Sequence, residues 1–277
     1  MQWRVRDPIS DNLSQRIRMR FVSPEAYAKT IVATVQEYSL LCARAVGNIF
    51  SRPRYLADTF TQMDSIGVGS LPIVVLTGFF TGCVLALQSA TTLKEFGAVN
   101  MTGRLVALSM VKELGPVLTG LMVSGRNASG MASELGSMKV SEQIDAMRAL
   151  GTDPIRKLVT PRIVATVFML FFLTIISDAC GTAGGGLVSV YLLKLNGQTY
   201  FHTAYMTLIA GDVVEGLVKP LFSGFIIATI GCYYGLKTTG GTRGVGRSTT
   251  QAVVASSVLI ILVDFLVTQM MIGFFGR

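Results

Sequence analysis

Five apolar runs, at approximately 66–90, 105–130, 163–193, 211–236 and 251–274, constrain this chain more than any other feature. A helix needs about 20 mostly apolar residues to cross the hydrocarbon layer of a bilayer, and each run reaches that length. Hydrophobic residues make up 51% of the 277 and charged residues only 14%, too few polar groups to clothe a soluble body. In lipid every backbone N–H and C=O has to be satisfied within the protein, and the runs lack the alternation of barrel strands, so each reads as a helix. The fold class is therefore an all-α integral membrane protein with about five transmembrane helices.

Basic residues orient the spans, because Lys and Arg near span ends are retained on the cytoplasmic side. Nine of them, Arg4, Arg6, Arg16, Arg18, Arg20, Lys29, Arg44, Arg52 and Arg54, precede the first run. Lys139, Arg148, Arg156, Lys157 and Arg162 separate the second run from the third, and Lys237, Arg243 and Arg247 separate the fourth from the fifth. The opposite side carries Lys94, Arg104, Lys194 and Arg277. This bias predicts a cytoplasmic N-terminus and, with an odd number of spans, a C-terminus on the far side. Basic loops facing anionic headgroups account for the net charge of +8, so no nucleic-acid partner is needed.

The opening residues lack the pattern of a cleavable signal. Residues 1–23 read as a cytoplasmic extension and 24–54 as an interfacial amphipathic helix, leaving 55–277 as the membrane body. Ser23 can cap a helix that has Pro24 at its first position. Tyr27, Ile31, Val35, Tyr38, Cys42, Val46 and Ile49 then recur at three- and four-residue spacing, which makes an apolar stripe.

Enzymatic chemistry finds little to work with: no catalytic residues and no metal ligands are assigned. Cys42, Cys83, Cys180 and Cys232 lie singly in apolar surroundings, and His202, the single histidine, reads as a solvated residue of an external loop between the third and fourth runs. Residues 241–248, GTRGVGRS, have the spacing of a phosphate-binding loop, with Arg247 where that loop requires Lys. Such a loop follows a buried strand, whereas this segment joins two membrane helices and reads as a flexible cytoplasmic turn. Any nucleotide that drives the protein has to be bound by another chain.

Within the spans, Gly78 with Gly82, Gly181 with Gly185, and Gly231 with Gly235 give the four-residue spacing that lets helices approach closely. Lys112, Glu113, Arg126, Asp178, Asp212, Glu215, Lys219 and Asp264 fall at membrane depth, where ionisable groups are costly and face protein or water. Lys112-Glu113 stands out because Leu114-Gly115-Pro116 follows, and that proline removes a backbone donor. Pairing of this dipeptide with Asp178, Asp212 or Asp264 is an alternative to a functional role.

Between the second and third runs lies an island of charge, KVSEQIDAMRALGTDPIRKLVTPR from Lys139 to Arg162. Ser141 as N-cap, Glu142 and Asp145 near the start, and Gly151 with Asp153-Pro154 as the stop predict a short helix over about 141–151. Ile144 and Met147 share one of its faces. A helix of that length is marginal alone and gains stability against another surface.

The segment from Lys112 to Met122, Glu134-Leu135-Gly136-Ser137-Met138-Lys139-Val140, Glu142 to Gly151, and Pro161-Arg162 resemble the MlaE/YrbE family, ABC-transporter permeases of Mce-type lipid transport systems. The resemblance runs from about Ser51 to the C-terminus. It implies a homodimeric permease in the bacterial inner membrane that carries phospholipid and binds two copies of a cytoplasmic ABC ATPase (MlaF-like). A hexameric MCE-domain protein (MlaD-like) would sit on the periplasmic side, with a STAS-domain subunit (MlaB-like) as a further candidate member. ATP and Mg would be used by the ATPase, and this chain would bind no cofactor. The resemblance also implies that Glu142, Gln143, Ile144, Asp145, Ala146, Met147, Arg148 and Gly151 form a coupling helix seated in the ATPase. Leu85, Gln88, Leu93, Phe96, Lys112 and Glu113 would lie near a lipid cavity at the dimer axis.

An ion-coupled secondary transporter using Glu113, Asp178, Asp212 or Asp264 is the alternative, although no inverted repeat is evident. A lipid-modifying enzyme would need a nucleophile, base or metal set that the sequence does not supply.

Overall fold

The computed structural model describes the backbone of residues 24–49, 51 and 55–275. Every regular element among them is helical, and five helices are long and apolar enough to cross a membrane. In chain order, α1 is Pro24–Ile49 and α2 is Leu56–Glu95. One long second span is built from α3 (Thr102–Ser109), α4 (Gly115–Val123) and α5 (Ser129–Val140), joined by π turns at Met110–Leu114 and Ser124–Ala128. There follow the short α6 (Gln143–Ala149), a π turn at Ile155–Val159, α7 (Thr160–Tyr191), α8 (Gly197–Thr207), α9 (Ala210–Leu236) and α10 (Gly241–Phe275).

The chain divides into two compact units, residues 1–42 and 43–277. In the first, Val32, Val35 and Leu40 of α1 are exposed while Tyr38 is half-buried. The predicted extension 1–23, with Ser23, lies outside the described residues, as do residues 52–54 and the side chains of Tyr27 and Ile31. In the second unit Ala45 is fully buried, and its carbonyl accepts from Thr160 Oγ1 at 3.3 Å.

Small residues decide how the membrane helices pack. The buried face of α2 is Ile66, Gly67, Ser70, Val74, Gly78, Gly82, Ala86 and Ala90, a row of mostly small side chains at three- and four-residue spacing. It lies against α7 so closely that a Cβ on Gly78 would sit 2.8 Å from the Ser177 carbonyl oxygen. One on Gly82 would enter the Gly181 backbone. Gly231 and Gly235 of α9 face Ala128, Ala132 and Leu135 in the same way. Without a hydrophobic drive between helices in lipid, such close approach and its dispersion contacts hold the bundle. Gly184-Gly185-Gly186 is buried packing surface facing Phe79, Tyr200 and Phe201.

Three expectations need correction. The segment 241–248 is no loop: it forms the opening turns of α10, after left-handed Gly240 and Gly241, and Ser248 accepts from Thr238 at 2.8 Å. Residues 197–207, read as an external loop around His202, form α8, whose N-terminus is capped by Asn196 accepting from the Gln198 amide at 2.8 Å. Arg162, assigned to loop topology, is 3% exposed and ion-paired with Glu134 at 2.8 Å.

Candidate functional site

The proline at 116 has no N–H to give, and the chain answers one turn earlier. Over Met110–Leu114 the helix widens into a π turn, with the Gly115 amide bonding to the Met110 carbonyl. Lys112 and Glu113 sit on this widened turn, at the end of the second span far from α6. Gly216 of α9 packs on the Val111 backbone, where any side chain would collide, and this approach brings the acids and lysine of α9 within reach.

The result is a ladder of charge. Lys112 Nζ lies 3.2 Å from Asp212 Oδ1 and 3.0 Å from Glu215 Oε2. Lys219 Nζ lies 2.8 Å from Glu113 Oε2 and 3.3 Å from Asp264 Oδ1, and it donates to the Lys112 carbonyl at 2.6 Å. Thr268 donates to the other Glu113 oxygen at 3.2 Å, and Asp212 Oδ2 accepts from the Ile209 amide at the start of α9. Lys219 and Glu215 are buried, which is tolerable only because each faces opposite charge. Lys112, Asp212 and Glu215 also line a partly open cavity of about 320 Å³ together with Ile209, Gly211, Met271 and Ile272.

Asp178 takes no part in this ladder: it lies against Gly115, and its Oδ1 has no hydrogen-bond partner among the described residues. Arg126 sits on the second π turn, donating to the Ser65 carbonyl at 3.0 Å and to Ser70 Oγ at 3.1 Å. The other predicted cavity residues are distributed differently. Leu85 and Gln88 share a groove of about 340 Å³ with Phe80 and Leu114, Leu93 is half-buried, and Phe96 is 77% exposed at the end of α2.

At the opposite end of the span, α6 is attached by one residue and open elsewhere. Ile144 is fully buried, so it fastens the helix to its own chain, with Met147 half-buried beside it. Glu142, Gln143, Asp145, Ala146, Arg148 and Gly151 are exposed. Leu150, a residue that the spacing alone did not single out, is 83% exposed, an apolar group left in the open at the helix end. Ser141 does not cap α6, because its hydroxyl bonds back to the Ser137 carbonyl at 2.9 Å and completes α5. Glu142 makes the turn instead, at a left-handed φ of 59°, and left-handed Gly151 ends the helix. Lys139 reaches Asp145 at 2.7 Å and Arg148 reaches it at 3.3 Å. The hydrogen bond from Lys139 holds the Asp145 carboxyl below the usual carboxylate range.

A long membrane helix thus carries a charge ladder toward one end and leads into a short exposed helix at the other. The MlaE permease family matches residues 59–270, which contain both ends. The chain belongs to this family. The permease is 44% identical to a probable ABC transporter permease protein of Rickettsia typhi over 234 residues, 84% of this chain and 90% of the relative. It is 34% identical to the intermembrane phospholipid transport system permease protein MlaE of Haemophilus influenzae over 213 residues, covering 76% and 82%. It is also 36% identical to the chloroplast protein TRIGALACTOSYLDIACYLGLYCEROL 1 of Arabidopsis thaliana, over 83% of this chain and 66% of that protein. The permease is a multi-pass membrane subunit of the ABC-transporter type.

Proposed function

We propose that the permease moves phospholipid between the bacterial inner membrane and an external MCE-domain protein, working as a homodimer driven by two copies of a separate ABC ATPase. ATP and Mg belong to that ATPase in this reading, and a STAS-domain subunit is a further candidate partner. The N-terminus and α6 lie on the cytoplasmic side, the charge ladder lies toward the periplasm, and residues 24–54 anchor the body 55–277 at the membrane surface. The observation that carries the reading is α6: a short helix fastened through Ile144 at the foot of the broken span, presenting charge and Leu150 outward. An ATPase seated on that face would transmit its closure through Ile144 and α5 to the π turns, changing the shape of the lipid-holding surfaces above. Leu85, Gln88, Leu93, Phe96, Lys112 and Glu113 are the cavity residues in this proposal.

Purification of the tagged chain in mild detergent, with mass spectrometry of what stays bound, tests the proposal. Recovery of an ABC ATPase, an MCE-domain protein and phospholipid is the expected result. Leu150→Asp should release the ATPase and leave the permease folded. Retention of the ATPase by that variant, or ion-driven lipid movement by the chain alone, would contradict this reading.

A further inference from the structure

The charge ladder is uneven. Lys219 meets three acceptors, Glu113, Asp264 and the Lys112 carbonyl, which occupy the three N–H groups of an ammonium. Lys112 meets two, and it is the half of the ladder that lines a cavity. Its carboxylates outnumber it two to one, and Glu215, 5% exposed, has its Oε1 buried without a hydrogen-bond partner among the described residues. An unmatched buried carboxylate oxygen is costly, and with Asp212 and Glu215 set against Lys112 alone the lining of this cavity is one positive charge short.

We propose that the cavity bounded by Lys112, Asp212 and Glu215 is a headgroup site that selects phospholipids carrying a primary amine. The inference rests on the phospholipid reading above and adds selectivity to it. A compact –NH3+ supplies the missing charge and donates to the carboxylates of Asp212 and Glu215 that line the cavity. The remaining N–H of Lys112 is left for the phosphate two carbons away in the same headgroup. A trimethylammonium group carries the charge but has no N–H, so it makes no hydrogen bond to either carboxylate. A glycerol headgroup brings hydroxyl donors without a positive charge. Met271 and Ile272 on α10 give the opening an apolar edge against which the glyceride portion can lie.

The full-length permease in lipid nanodiscs, equilibrated with phosphatidylethanolamine, phosphatidylcholine and phosphatidylglycerol of matched acyl chains, provides the test by native mass spectrometry. The expected result is at least about tenfold retention of phosphatidylethanolamine over phosphatidylcholine, the scale of one lost charged hydrogen bond. Glu215→Gln, and independently Asp212→Asn, should reduce that ratio toward one while total bound phospholipid stays unchanged. Equal retention of the three lipids by the unaltered chain overturns the headgroup inference and leaves phospholipid transport standing. Full preference in both variants overturns the assignment to this cavity. Absence of any retained phospholipid overturns the transport reading and this inference with it.

Discussion

Lys219 and Lys112 each bridge two carboxylates in the same ladder, yet one is 2% exposed with its donors taken, and the other has a side chain 32% exposed beside a cavity. A sealed ion pair fixes helices relative to one another, because breaking it strands charge away from water. An open one can exchange a partner. The two lysines therefore differ in role by their own exposure: Lys219 is the sealed fastening, held by Asp264, the Lys112 carbonyl and a Glu113 whose side chain is 44% exposed, and Lys112 opens on the cavity beside Asp212 and Glu215. The charges of α6 form a third case, exposed and available to another protein.

The strongest way to break this division is Lys219→Met, which leaves Glu113 and Asp264 facing each other. It should lower stability by about 3–5 kcal/mol in detergent thermal unfolding, and adding Glu113→Gln with Asp264→Asn should recover most of the loss. Lys112→Met should be costly as well, because it takes from buried Glu215 the opposite charge it faces while Asp212 keeps its bond to the Ile209 amide; a negligible cost would show that water in the cavity stands in for the lysine. Gly216→Ala comes next. Its Cβ meets the Val111 backbone, so α9 must move away, with a loss of about 1–3 kcal/mol and a loosened Lys112–Glu215 pair. Arg148→Glu, on the exposed face of α6, should change stability by less than about 0.5 kcal/mol while weakening ATPase capture, and a large stability change would show that this face is already covered.

The smallest effect expected is one of pH. Lys139 depresses the Asp145 carboxyl in the folded state, so ionisation of Asp145 stabilises α6. That contribution is complete above the unfolded carboxylate value of about 3.9 and disappears as the pH falls through the folded value. The protection of α6 amides, taken relative to the intrinsic exchange rate at each pH, should be flat down to about pH 4 and fall below it, by less in high salt and not at all in Asp145→Asn.

The existence of the five spans was legible because apolar runs of that length have one solution in lipid. Their ends were not. α2 extends from Leu56 to Glu95, well past the run 66–90, through polar residues such as Thr59, Thr61 and Thr91 whose hydroxyls are satisfied by carbonyls one turn back. The short α8 was missed, although Asn196 is an N-cap that could have signalled it. The ladder residues were all visible as ionisable groups at depth. Their pairing was not, since Lys112 and Asp212 are 100 positions apart and only the Gly216–Val111 contact sets them together. Gly115-Pro116 announced a broken helix without saying that the break is a wider turn. Ser141 misled for a local reason: a serine that follows one helix and precedes another can serve either, and here it completes the first.

The wider turns have one more effect. Each π turn holds one residue more than an α turn, which is roughly 100° of rotation about the axis. Two of them, at Met110–Leu114 and Ser124–Ala128, leave the two ends of the second span out of phase with a straight helix. Removing a single residue from Ser124–Ala128 would restore a plain α-helix of unchanged hydrophobicity that still enters the membrane. Because a π turn spends its extra residue within a single turn, that removal would leave the α6 platform facing the same way, whereas removing one residue from α4 or α5 would swing it about a quarter of the way round in a protein still made and inserted.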